Sequence, residues 1–208
     1  MAKMPDVDSA YAMGSPEEIK ELYRLWSHSY DVAFGEAQGY QLPREVAAAF
    51  VGAGGTGPVL DVGAGTGLVG AVLHVMNTEP VDGIDLSREM LDVAAMKGHY
   101  RTLTACDVTR PLSLVDAPYR GIVSAGTFTL GHVGPEALPH LLAVAAPEAV
   151  FVISVNAAHY VSAGFEAAFE DLGAAITDLH FRDVRIYDDR ADEAHRNDIA
   201  RLVIFRKS

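Results

Sequence analysis

The stretch at residues 59–70, VLDVGAGTGLVG, divides in two ways, and the division decides both fold and chemistry. Gly65, Gly67 and Gly70 spell GxGxxG, the pattern of loops that cradle a pyrophosphate, whereas Asp61, Gly63, Gly65 and Gly67 spell DxGxGxG, with an acid at the head. A strand running into a glycine loop and then a helix turns backbone N–H groups and the positive helix end toward a ligand, and glycines let that ligand come close. Both divisions share this physics and differ in the charge they welcome.

Outward from this stretch the apolar pattern alternates between strand and helix periods. Strands are expected at residues 59–63, 81–86, 102–108, 121–128 and 149–155, with helices at 68–76, 87–97, 135–145 and 164–174. This βαβαβ order implies a doubly wound α/β fold: a seven-stranded, mostly parallel sheet with helices on both faces. The last two strands, 176–188 and 199–206, have only the charged DRADEAHRND between them and are expected to pair as an antiparallel hairpin. Upstream, SPEEIKELYRLWS opens with a capping box at Ser15, Pro16 and Glu18, and Ile19, Leu22, Tyr23 and Trp26 form one apolar stripe. A second helix begins at Pro43 and ends at the glycines 52, 54 and 55. The chain thus reads as a single domain over 1–208, with an N-terminal helical cap at 1–55 and an α/β core at 56–208.

With 208 residues the chain can bury a large core, and sixteen basic against twenty-eight acidic residues give a formal charge of −12. That charge repels the phosphates of nucleic acid and of anionic membranes, leaving a small molecule as the favoured substrate. The amino terminus has acids where a signal peptide needs an apolar run, and no stretch approaches the roughly 20 apolar residues of a membrane span, so a cytoplasmic monomer or homodimer is expected. Cys106 is the only cysteine, which excludes an internal disulfide and a cysteine-rich zinc site, and no metal is expected. In the apolar pattern of a strand, Cys106 reads as packing.

The acids decide between the two divisions. A loop that hugs a pyrophosphate has no use for a carboxylate, whereas the sulfonium and ammonium of S-adenosyl-L-methionine (SAM) are cations that Asp61 suits, directly or through water. Gly70 then falls on the helix, where a lone glycine permits close packing. Asp85, ending the second strand in GIDLSREML, can accept both ribose hydroxyls, and Asp107, ending the third in TACDVT, can accept from the adenine amino group. Three acids at three successive strand ends point to one edge of the sheet.

VLDVGAGTGLVG, GIDLSREML and ACDV together resemble the first motifs of class I SAM-dependent methyltransferases, over about residues 15 to 156. More narrowly, SPEEIKELYRLWSHSYD with GTFTLGHVGPEAL and FVISVN is similar to bacterial relatives of the methyltransferase-like proteins linked to the Williams–Beuren region. The resemblance implies SAM as cofactor, held by Gly63, Ala64, Gly65 and Gly67, by Asp85 with Leu86, and by Asp107 with Val108. It also implies that Tyr30 closes over the cofactor and Met90 lies beneath the adenine. One departure stands out: where such enzymes carry a proline and two glycines before the fifth strand, this chain reads APEAVFV, with Pro147 and neither glycine, so the local backbone there is expected to differ.

Methyl transfer needs in-line alignment of acceptor, methyl and sulfur, which positioning in a closed pocket supplies without an obligatory side-chain catalyst. No NPPY-like motif follows the fourth strand, which disfavours amino-purine methylation. His132, after the fourth strand, is the candidate general base, and Tyr11, Tyr23, Thr127 and His159 complete the expected substrate pocket, with the segment from Tyr11 to Tyr40 as a lid. Two other functions compete: a SAM-binding protein without transferase activity, and an NAD-dependent oxidoreductase, which Asp61 and the late position of the glycine loop disfavour.

Overall fold

The side chains of Val59, Leu60 and Val62 are fully buried, so β1 (Val59–Val62) is apolar on both faces, as a central strand of a covered sheet must be. In the computed structural model, which describes residues 39–208, β1 pairs in parallel with β2 (Val81–Asp85) on one side and β4 (Tyr119–Phe128) on the other. β3 (Thr102–Ala105) extends the sheet beyond β2, and β5 (Ala145–Asn156) lies beside β4. The full order is β3-β2-β1-β4-β5-β7-β6, with β7 (Ile199–Lys207) antiparallel to both β5 and β6 (Ile176–Arg185). The expected seven-stranded, mostly parallel sheet is present, and the late hairpin joins it through its second strand. The expected helix at 15–27, and with it Tyr11, Tyr23 and Tyr30, lies outside the described residues.

Helices cover both faces. α1 (Leu42–Gly52) and α2 (Leu68–Val75) bury Phe50 and Leu73 against Val59, Val81 and Val152 on one side. On the other, α4 (Leu138–Val144) and α6 (Phe165–Leu172) enclose Leu141, Phe165 and Phe169 with Phe151 and Phe205, whose rings stack at 4.5 Å. α3 (Arg88–Lys97) follows β2, capped by the Ser87 hydroxyl, which accepts from the Met90 N–H, and ended by Gly98 in the left-handed region. The order reverses between β1 and β4, so the crevice at the C-terminal ends of β1, β2 and β4 is where such a sheet binds ligands.

Four local features differ from expectation. The strand expected to reach residue 108 stops at Ala105, because Asp107 turns the chain by accepting the Thr109 N–H at 2.9 Å and its hydroxyl at 2.6 Å. The helix expected over 135–145 is divided into a 3-10 turn, Pro135–Ala137, and α4. A short helix, α5 (Ala157–Ser162), follows β5, capped by Asn156 Oδ1, which accepts from the N–H groups of Ala158 and His159. β5, expected from residue 149, already begins at Ala145, so the stretch that lacks glycines lies within the strand, where the register against β4 shifts and Glu148 adopts φ of 61°, a region a glycine enters at no steric cost.

Candidate functional site

Gly63, Gly65 and Gly67 have φ of 69°, 55° and 90°, so the alternate glycines of DxGxGxG are the ones whose backbone demands glycine. The N–H groups of Gly63 and Ala64 both donate to the Ile84 carbonyl, at 2.8 and 2.9 Å, which pins the start of the loop to β2. A side chain at Gly63 would overlap Thr127, whose hydroxyl donates to the Val62 carbonyl at 2.9 Å. A side chain at Gly65 would meet no protein atom closer than 4.0 Å and would fill the space in front of the loop instead.

Gly70 answers the other division. Its φ is not left-handed, and a Cβ there would collide with the Tyr100 ring. Its N–H donates to the Tyr100 hydroxyl at 3.0 Å, and that hydroxyl donates in turn to Asp61 Oδ2 at 2.6 Å. Gly70 is bare to admit a phenol.

The cleft holds about 1220 Å³ of empty space, its open mouth included. Of the residues expected to hold the cofactor, Gly63, Ala64 and Gly65 line it from the loop after β1, Asp85 from the end of β2, Leu86 from the connection that follows and Met90 from α3. Asp107 and Val108 line it from the turn after β3, while Thr127 and His132 close the β4 side. Asp61, Gly67 and His159 are not among the lining residues. Asp61 is fully buried beneath the loop, and Gly67 caps α2. The His159 ring turns to the Val133 carbonyl, 2.9 Å from Nε2, and packs edge-on to Phe165. It therefore braces the loop that carries His132.

Sequence reasoning missed Tyr40, Tyr100 and the cleft-facing position of Cys106. Tyr40 lines the cleft and sets its hydroxyl against Gly126, which has φ of 83°. No short-range pattern marks Tyr40 or Tyr100, whose partners are distant in the chain.

Electrostatics assigns the acids different work. Burial pushes the Asp61 carboxyl up to about 7, the Tyr100 hydrogen bond opposing and the Asp85 charge reinforcing the rise. Asp85 is also raised by burial, although its Oδ2 accepts the Gly65 N–H and its Oδ1 the Ser87 N–H, each at 2.8 Å. Asp107 is lowered, chiefly by the Thr109 hydroxyl, with Arg110 Nε 3.2 Å from its second oxygen. Burial lifts the Cys106 thiol to about 11, which leaves it protonated and a poor nucleophile.

Residues 59–148 match the family model described as a methyltransferase domain. Human methyltransferase-like protein 27 is 30% identical over 137 residues, which cover 62% of this chain and 56% of the relative, so the chain spans about half the length of that curated relative. Among solved structures, magnesium protoporphyrin IX methyltransferase (ChlM) from Synechocystis, with bound SAM, superposes with a TM-score of 0.60 at 17% identity, covering 97% of this chain and 94% of that one. The cyclase SpnF superposes with a TM-score of 0.66 at 16% identity, covering 94% of this chain and 97% of that one. At such identities the likeness concerns the fold, which is the Rossmann-like methyltransferase fold. Residues 59–148 are thus similar to a methyltransferase domain, and the sheet around them has the fold of such domains.

Proposed function

We propose that this chain transfers the methyl group of SAM to a small-molecule acceptor at an oxygen or nitrogen atom. One observation carries this reading: the glycine loop, the Asp85 carboxylate and the 106–109 turn converge on a single cleft at the strand ends. The fit is physical as well as topological, since a side chain at Gly65 would occupy the space a ligand needs. Bound there, SAM supplies an electrophilic methyl group on a sulfonium.

The residues of the chain have separable tasks. Asp85 spends one lone pair of each oxygen on the Gly65 and Ser87 N–H groups, which aligns the carboxylate for ribose hydroxyls with its remaining lone pairs. Leu86 and Val108 offer apolar surface to an adenine, with Met90 below. Thr127 and His132 stand at the β4 side, where the acceptor enters, and His132 takes the proton of an acceptor hydroxyl or amine as the new bond forms. His159 holds the His132 loop through Val133, and the lid role expected of Tyr11, Tyr23 and Tyr30 falls outside the described residues.

The acidic charge of −12 and the lack of Lys and Arg among the described lining residues favour a small, non-anionic acceptor over nucleic acid. The porphyrin named for ChlM is a small-molecule precedent on this fold. The narrower kinship with bacterial relatives of the Williams–Beuren-linked proteins rests on the stretches SPEEIKELYRLWSHSYD, GTFTLGHVGPEAL and FVISVN. The site is read as that of a cytoplasmic monomer or homodimer. Among the described residues no helix is long and apolar enough to cross a membrane.

The cyclase SpnF, on a similar fold, is named for a reaction other than methyl transfer, and the second reading is a protein that binds SAM without transferring its methyl group. Calorimetry with SAM, S-adenosylhomocysteine (SAH) and NAD, followed by turnover of methyl-labelled SAM against a panel of small amines and hydroxyl compounds, tests both readings. SAM binding with label transfer supports the enzyme. Binding without transfer to any panel member favours the second reading, and NAD binding in place of SAM overturns both.

A further inference from the structure

Three elements surround the glycine loop, and one side chain from none of them joins its two ends. Tyr100 lies in the connection between α3 and β3, two residues beyond the Gly98 cap. Its hydroxyl donates to Asp61 Oδ2 at 2.6 Å, on the strand that enters the loop. The same oxygen accepts the Gly70 N–H at 3.0 Å, on the helix that leaves the loop.

The local need for that oxygen is clear. The first N–H groups of a helix have no intrahelical partner, and Gly67, the N-cap of α2, makes no side-chain capping bond. The Tyr100 hydroxyl takes up one of those N–H groups from outside the helix. Room for it was cleared at three glycines: a Cβ at Gly70 would collide with the ring, and one at Gly67 or Gly83 would stand 3.0 Å from it. The ring is thus wedged behind the loop whose front face, Gly63 to Gly65, lines the cleft.

We propose that Tyr100 is a positioning residue of the cofactor site, its hydroxyl tying Asp61 to Gly70 and so setting the shape of the 63–67 loop. This inference rests on the reading that the cleft binds SAM. It reaches beyond that reading because it gives a residue outside the cleft control over affinity within it. Tyr100 from the α3 to β3 connection and Asp85 from β2 face Asp61 on β1, whose second oxygen has no hydrogen-bond partner, so among the described residues the Tyr100 hydroxyl is the donor that serves this carboxyl. Loss of that hydroxyl leaves a buried carboxyl and a helix N–H unpaired together, and the loop must move to satisfy them.

The test is Tyr100→Phe, which keeps the ring and removes only the oxygen. SAH affinity is read by calorimetry well below the melting temperature, at several pH values, beside the wild-type protein. The expected result is about a tenfold rise in Kd at neutral pH. The expected pH dependence is also displaced upward, because Asp61 without its donor holds its proton more tightly. A scaffold role alone lowers the melting temperature and leaves both Kd and its pH dependence at wild-type values, which overturns the inference. Gly70→Ala, which displaces the ring with its chemistry intact, is expected to weaken SAH comparably, and wild-type affinity in that folded variant also overturns it. If wild-type protein itself fails to bind SAM or SAH, the cofactor reading falls first and this inference with it.

Discussion

The carboxylate of Asp85 holds the backbone N–H of Gly65 at 2.8 Å from the tip of the neighbouring strand, twenty residues away in the chain. A residue expected to grip the ribose therefore also fastens the loop. Asp85→Ala removes both functions and is expected to weaken SAM by about 2 to 4 kcal/mol, measured by calorimetry. Asp85→Asn, which keeps one acceptor oxygen, is expected to fall between the two. Unchanged affinity in Asp85→Ala removes Asp85 from the site.

Asp61 gives a pH signature. Its folded-state carboxyl is raised to about 7 by burial, above the ordinary 3.8, so the folded protein binds a proton more tightly than the unfolded chain. Stability contributed by this group is full below about pH 4, is lost as pH rises to about 7, and is constant above that. Asp61→Asn removes the slope. Urea unfolding at pH 5 and pH 8 is expected to show wild-type protein losing a few kcal/mol relative to the variant across that interval. Asp85 is raised too and Asp82 lowered, and taking the difference between variant and wild type removes contributions common to both.

Glu148 is a site for improvement. It holds φ of 61° after Pro147 inside β5, and its carbonyl accepts from Arg206, so this conformation is set by its surroundings and not by its residue type. Glu148→Gly is expected to stabilise the protein by about 1 kcal/mol, read as a raised melting temperature, because the steric cost of a Cβ in the left-handed region disappears. A lower melting temperature contradicts this.

His132 separates binding from chemistry. His132→Ala and His132→Gln are expected to leave SAM affinity within about twofold of wild type while lowering the transfer rate by about 10²-fold or more, the usual contribution of a general base. Full turnover in both variants removes the histidine from the reaction. His159→Phe, which keeps an aromatic ring on Phe165 and gives up the Val133 bond, is expected to raise the acceptor KM more than it lowers kcat.

Most of the sheet was legible because its signals are local. Alternation of apolar runs with helical spacing marks strands and helices wherever they occur, and a glycine that must take positive φ can be inferred from a strand, a turn and a helix in succession. Gly63, Gly65 and Gly67, the alternate glycines of DxGxGxG, all take positive φ. The stretch without glycines shows the reverse: it reads as lying before the fifth strand, yet it forms the start of β5, with Glu148 at φ of 61°. His159 reads as a pocket residue from its place after β5, but a short helix capped by Asn156 turns it to Val133.

The amino-acid order alone thus specified the elements, the strand ends that carry the three aspartates, and which glycines form the loop, since each depends on a residue and its near neighbours. It left open that β7 enters the sheet between β5 and β6, and that Tyr100 reaches Gly70 across thirty residues and Asp61 across thirty-nine. Those contacts depend on which segments the assembled sheet brings side by side, and burial then makes them matter: a phenol, a carboxyl and a helix N–H removed from water must satisfy one another.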